Sequence, residues 1–259
     1  MIFSETQMTE FLHTFKCGHT TKCEYVKPDS RKTQSFTVVY AHGFCSDPYG
    51  RKPEETKKWC LENGMGFFRY EIAGHASDIE RFEETTMDVY REQIYEIVGD
   101  MVEGPVVVVG SSLGGWLSLL AARQFPQKVI GFVGLAAAPD FLKTYITNHF
   151  DSKLVTILNK YGKIEFPTND FTYVITKKMI DSAGDNLLLE NETIPFTGKV
   201  RLLQGMKDAS LDWHTALTIA QKIASDDVKV YLLKSSNHRL GTDSDMDTLR
   251  QALGEMITR

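Results

Sequence analysis

No run of ~18 apolar residues occurs anywhere in the chain, so nothing in it reads as a membrane-crossing helix. Basic charge is not in excess either. With 29 Lys and Arg against 34 Asp and Glu, the net charge of −5 argues against nucleic acid or an anionic membrane as the main partner. Cysteine is scarce, and Cys17, Cys23, Cys45 and Cys60 all fall in the first quarter without C-x-x-C spacing. That pattern excludes a zinc or dithiol redox site of the usual kind and favours reduced structural thiols; a Cys17–Cys23 disulfide across a hairpin is the alternative. His, Asp and Glu show no metal-ligand spacing, and no Gly-rich loop of the phosphate-cradling kind is present, so neither metal nor cofactor is expected. The N-terminal MIFSETQMTEF has no apolar core segment and no Arg-rich amphipathic stretch, which makes a cytoplasmic protein the expectation.

What the chain does have is apolar mass and rhythm. Its 259 residues are 42% hydrophobic, enough for one α/β domain with an insertion. Short, wholly apolar segments alternate with helical patterns: SFTVVYAHG at 35–43, MGFFRYEIAGH at 65–75, PVVVV at 105–109, VIGFVGLAAA at 129–138, VRLLQG at 200–205 and VKVYLLK at 228–234. Strands without polar alternation are buried on both faces, which predicts a mostly parallel central sheet with helices on both sides. Phe11 to Val26, broken at Gly18-His19, predicts an antiparallel hairpin at a sheet edge, and helices are expected over 54–63, 86–102, the segment after Ser112, 211–224 and 243–257. Between 141 and 197 the rhythm breaks into amphipathic pieces, LKTYITNHF, KLVTILNKY and YVITKKMIDSAG, with no obvious buried strand. The expected division is therefore a core of 1–140 and 198–259 carrying a helical lid at 141–197.

The chemistry gathers at Gly110-Ser111-Ser112-Leu113-Gly114, a G-x-S-x-G match lying between a strand and a helix. There Ser112 occupies a strained turn, while Gly110 and Gly114 let strand and helix approach. Two further residues follow strands at the same sheet edge: Asp208 after VRLLQG and His238 after VKVYLLK. The order Ser112, Asp208, His238 suits a nucleophile, the acid that orients a base, and the base itself. Such a triad predicts a rate that rises with pH as the histidine loses its proton. Asp140, also at a strand end, is the rival acid; His75 and His214 are the rival bases. The oxyanion donors are expected to be the amides of Leu113 and Phe44, with Gly43 allowing close approach and His42 bracing its loop.

With GSSLGGWL at 110–117, VIGFVGLAAAPDF at 129–141, RLLQGMKD at 201–208, WHTA at 213–216 and the pair His238-Arg239 in place, the chain resembles the α/β-hydrolase superfamily over nearly its whole length. More narrowly it resembles the branch of the mitochondrial palmitoyl-protein thioesterase called α/β-hydrolase-domain protein ten. The resemblance implies the α/β-hydrolase fold, Ser112, Asp208 and His238 as the triad, and hydrolysis of carboxylic esters and thioesters, including long-chain acyl thioesters and acyl glucuronides. The expected partner is a small-molecule or acyl ester or thioester substrate, and the oligomeric state is left open. A peptidase, amidase or C–C bond hydrolase would use the same triad, and a non-catalytic binding module is the reading from another class.

Overall fold

The computed structural model describes residues 8–32, 35–144, 150–167 and 172–257. The N-terminal heptapeptide and part of LKTYITNHF, residues 145–149, lie outside the described residues. An eight-stranded sheet runs in the order β1 (Met8–Thr14), β2 (Thr20–Val26), β4 (Gly66–Tyr70), β3 (Thr37–Ala41), β5 (Val106–Ser111), β6 (Val129–Leu135), β9 (Lys199–Gly205) and β10 (Val228–Leu233). The β1–β2 and β2–β4 pairs are antiparallel and every other pair in this sheet is parallel. The edge hairpin falls where Gly18-His19 predicts it. Its register sets Cys23 opposite Phe11 and leaves Cys17 in the turn, and all four cysteines are free thiols.

The four consecutive valines of β5 explain the architecture. Val106 and Val108 face one side of the sheet, where α2 (Met87–Glu96) and α3 (Leu113–Gln124) bring Ile94, Trp116 and Leu120. Val107 and Val109 face the other, against Trp59 and Cys60 of α1 (Arg51–Asn63) and Leu249 and Leu253 of the last helix, Asp243–Ile257. Because side chains alternate along a strand, both faces are covered only if every position is apolar.

The segment between β6 and β9 corrects the expectation of a helical insertion without strands. It holds α4 (Ser152–Tyr161), an antiparallel hairpin of β7 (Lys163–Pro167) and β8 (Thr172–Thr176), and α5 (Lys177–Ala183). The YVIT of YVITKKMIDSAG is strand and only its remainder is helix. Ile164 and Ile175, cross-strand partners, are both buried, and Thr176 closes the strand by accepting the Met179 amide on its hydroxyl as the cap of α5. Two short β-rich segments separated by Pro and polar residues offer too little alternation to outweigh the helical spacing around them.

This insertion is docked onto the core by polar contacts: the Trp116 indole N–H donates to Asn186 O at 2.9 Å, and the Asn186 amide donates to Asp88 at 2.9 Å. Two further α-helices follow β9 and β10, α6 (His214–Lys222) and α7 (Asp243–Ile257). Among the described residues no helix is long and apolar enough to cross a membrane.

The tightest contacts in the core are those α3 makes with β5 and with the end of β3. A Cβ on Gly110 would sit 2.1 Å from Gly114 O, and one on Gly114 would sit 2.0 Å from Ala41 O. Both obstacles are backbone and cannot swing aside. Gly114→Ala is therefore expected to cost about 3 kcal/mol from overpacking. That corresponds to a fall of about 6–12 °C in the midpoint of thermal unfolding followed by circular dichroism.

Candidate active site

β5 ends at Ser111, α3 begins at Leu113, and Ser112 between them takes φ 53°, ψ −114°. This is the left-handed side of φ space, unfavourable for a side chain and tolerated only where the surroundings over-determine it. They do so here. The Ser112 N–H donates to Leu135 O at 3.0 Å, and its carbonyl accepts from Gly115 at 2.9 Å and Ala138 at 3.1 Å. The hydroxyl is thereby held at the carboxyl end of the sheet over the first turn of α3, where helix N–H groups lack intrahelical acceptors.

Ser112 Oγ lies 3.1 Å from His238 Nε2, and His238 Nδ1–H donates to Asp208 Oδ2 at 2.7 Å. The imidazole is partly open to the cleft, whereas the Asp208 side chain is fully buried. Its other oxygen accepts the amides of Ser210 at 2.8 Å and Leu211 at 2.9 Å. Burial pushes this carboxyl up, but the hydrogen bond and charge of His238 together with those two amides outweigh it and hold the group below the ordinary carboxylate value.

Gln204 is a member that the motifs do not disclose. Its Nε2 donates to Asp208 Oδ2 at 3.0 Å, the same oxygen that His238 uses. A polar side chain at the end of the apolar strand β9 was the available signal.

The loop after β3 is pinned by His42. The ring is 2% exposed, Nδ1–H donates to Gly43 O at 2.8 Å, and Nε2 accepts the Ile72 amide at 3.0 Å. Ser46 N–H adds a second donor to Gly43 O at 3.2 Å. In a trans peptide the C=O and N–H point opposite ways, so fixing Gly43 O turns the Phe44 N–H to the other side. Burial, assisted by the neighbouring His75, lowers His42 to about 3, so it stays neutral and keeps this tautomer. Gly43 is less constrained than expected: a Cβ there would meet Ser112 Cβ at 3.5 Å, an ordinary contact that would narrow the cleft rather than clash.

The rival residues stand elsewhere. Asp140 is buried with φ 61° and accepts the amides of Leu188 at 2.8 Å and Leu189 at 2.7 Å, so it anchors the insertion. Burial raises its carboxyl despite those amides. His75 is enclosed by the rings of His42, Phe44, Phe82 and Tyr90, donates from Nδ1 to Ala73 O at 3.0 Å, and is lowered by burial. His214 is exposed, stacks on Trp213 at 3.6 Å and bonds Asp212.

Ser112 and His238 open into a cavity of about 920 Å³. Phe44, Phe141, Ile175 and Leu211 supply apolar wall, and Arg51, Lys52 and Arg239 a cationic one. Among the described residues no group of three or more His, Cys, Asp or Glu could hold a metal ion. Asp140→Ala leaves two amides without their acceptor. It is expected to lower stability by about 1–3 kcal/mol in a urea titration while leaving the hydrolytic kcat within a few fold of wild type.

The family model described as "Uncharacterised protein family (UPF0227)" matches residues 37–228. The mitochondrial palmitoyl-protein thioesterase ABHD10 of Bos taurus is 32% identical over 254 residues, covering 94% of this chain and 82% of the relative. Mouse α/β-hydrolase domain-containing protein 10 superposes with a TM-score of 0.83 at 29% identity, covering 96% of this chain and 98% of that one. A putative hydrolase from Agrobacterium vitis S4 shares the fold with a TM-score of 0.90 at 23% identity, covering 97% and 100%. The chain therefore belongs to the α/β-hydrolase superfamily, in the family described as UPF0227 and in the company of the ABHD10 enzymes.

Proposed function

We propose that this enzyme hydrolyses carboxylic esters and thioesters through an acyl-enzyme on Ser112, with His238 as the base and Asp208 as the acid that orients it. The observation that carries the reading is the continuous hydrogen-bonded line from Ser112 Oγ through His238 to a buried Asp208, at 3.1 and 2.7 Å. As Oγ attacks the substrate carbonyl, its proton passes to Nε2. The imidazolium that results is stabilised by a carboxylate already held in its ionised form. Negative charge then grows on the carbonyl oxygen, and the amides of Phe44 and Leu113 are assigned to receive it. Collapse expels the alcohol or thiol with the proton from Nε2. Water, deprotonated by the same nitrogen, releases the acid.

Substrate class follows from the cleft wall and from kinship. The apolar side formed by Phe44, Phe141, Ile175 and Leu211 suits an acyl chain. The relatives named palmitoyl-protein thioesterase support long-chain acyl thioesters as the class to test first. Phe141 and Ile175 come from the segment 141–197, assigned here as a lid over a core of 1–140 and 198–259 that encloses the chain and excludes water.

A series of acyl esters and acyl thioesters from two to sixteen carbons, with Ser112→Ala as blank, tests both parts. Ser112→Ala is expected to lower kcat on the order of 10⁵–10⁶-fold without shifting the unfolding midpoint, and to abolish labelling by a fluorophosphonate. A folded variant that keeps wild-type turnover overturns the nucleophile. The optimum is expected at long-chain thioesters; a maximum at two to four carbons assigns small esters instead, and faster cleavage of a matched amide moves the enzyme to the amidases. Because Asp208 sits below the ordinary carboxylate value, it is ionised throughout the neutral range. The Asp208 carboxyl is therefore expected to add no limb of its own to the kcat/KM profile between about pH 6 and 8.

A further inference from the structure

The loop that carries His238 is held from two sides. On its inner edge Asp245 of α7 accepts the Ser236 hydroxyl at 2.5 Å and the Thr242 amide at 2.8 Å. Between these points the chain makes a strained turn, with Leu240 at φ 46° and the Arg239 amide donating to Asn237 Oδ1 at 3.0 Å. On the outer edge the support is cationic and comes from the first turn of α1. Arg51 donates to Gly241 O at 2.6 Å and pairs with Asp243, and the Lys52 ammonium donates to Arg239 O at 2.7 Å. Lys52 thus bonds the carbonyl of the residue next to His238, and it lines the cleft.

The two cations differ in kind. Arg51 is exposed and shares its charge with a carboxylate, whereas the ammonium of Lys52 is partly withdrawn from water and rests on a neutral carbonyl. The charged groups around it are Asp245 of α7, Arg239 of the loop and Arg51 beside it on α1. Asp245 is already engaged by Ser236 and Thr242, and Glu55, one turn further along α1, pairs with Arg250. An ammonium on a lone carbonyl is a poor stabiliser, because its desolvation is not repaid by an opposite charge. It is, however, a strong, charge-assisted donor to that carbonyl.

We propose that Lys52 is a positioning residue for His238: by holding Arg239 O it fixes the outer edge of the loop so that Nε2 stays within reach of Ser112. This rests on the serine-hydrolase reading above and adds a control residue outside the triad. The arrangement also sets a sign. Burial lowers Lys52 from 10.5 to about 8, against the pull of Asp245 and with the push of Arg239. The charged form is full below that value and is lost as pH rises through it, leaving a neutral amine that donates more weakly. Folding stability moves the other way. Since the folded state sheds this proton more readily than the unfolded one, the Lys52 contribution to stability rises between about 8 and 10.5. Activity falling over a range in which this contribution rises is a signature that a merely structural lysine would not give.

The test is the rate at which a fluorophosphonate labels the enzyme, measured from pH 6 to 9.5 for wild type, Lys52→Arg and Lys52→Met, alongside unfolding midpoints at each pH. Wild type is expected to lose labelling rate above pH 8. Lys52→Arg, which keeps charge and donor but does not deprotonate here, is expected to label within about threefold of wild type at pH 7 and to lose the alkaline limb. Lys52→Met is expected to label about tenfold more slowly than wild type at pH 7 and to show no alkaline limb, so that the gap narrows as pH rises above 8. A limb unchanged in Lys52→Arg overturns the proposal, and so does a folded Lys52→Met that labels as wild type does. If Lys52→Met does not fold, the arginine variant alone decides. A wild-type enzyme that does not label at all condemns the serine-hydrolase reading itself, a result distinct from variants that label normally.

Discussion

Two glycines set how closely α3 can approach the sheet, Gly110 on β5 against α3 and Gly114 on α3 against the end of β3, and the site depends on that approach. Where a Cβ would lie about 2 Å from backbone oxygen on either side, only hydrogen fits. Strand and helix therefore meet at a turn sharp enough to force Ser112 to positive φ. The strain is borne by the backbone hydrogen bonds of the same residue, one donated to Leu135 and three accepted from Gly115, Trp116 and Ala138, and by a helix whose residues 113–122 are all buried. In this way the Ser112 hydroxyl is held at the carboxyl end of the sheet between a buried strand and a buried helix.

The partners of Ser112 arrive by a different logic. Asp208 and His238 sit on loops, and loops hold position only through polar contacts. Asp208 has both oxygens taken, by two amides on one side and by His238 and Gln204 on the other. The loop of His238 depends on Asp245 of α7 on one side and on α1 on the other. α1 follows directly on the loop 42–50, which carries the Phe44 amide, so Phe44 and the His238 loop are braced against the same helix. Strands bring these groups to one edge, and side-chain hydrogen bonds set them 2.7 and 3.1 Å apart.

Much of this was legible in the amino-acid sequence because it follows from periodicity and from glycine. PVVVV has to be a strand covered on both faces. Gly110 and Gly114 around a serine have to be a close crossing, and the ends of VRLLQG and VKVYLLK have to lie beside it in a parallel sheet. What periodicity does not carry was lost. The β7–β8 hairpin pairs Ile164 with Ile175 across a turn, a relation between two segments that neither shows alone. Gln204 was passed over because its partner lies four residues on, across a strand end. The role of Asp140 depended on Leu188 and Leu189, about fifty residues away, whose amides no pattern marks. Lys52 drew no reading at all, since nothing in its neighbours announces the Arg239 carbonyl.

The cleft also shows how one fold keeps three titratable groups in three different states side by side. His42 is fully enclosed and offered only neutral partners, so the charged form has nowhere to be solvated and the ring remains a fixed tautomer that pins a peptide. Asp208 is enclosed too, but every partner it has is a donor, and the donors outweigh the burial. Lys52 lies between these limits, partly desolvated with a single carbonyl and a distant carboxylate, which leaves its charge within reach of mildly alkaline solvent. Burial alone therefore does not decide protonation in this site; the supply of donors or acceptors at each buried atom does. A group whose supply is balanced, as at Lys52, is the one through which solvent pH can reach the loop that carries His238.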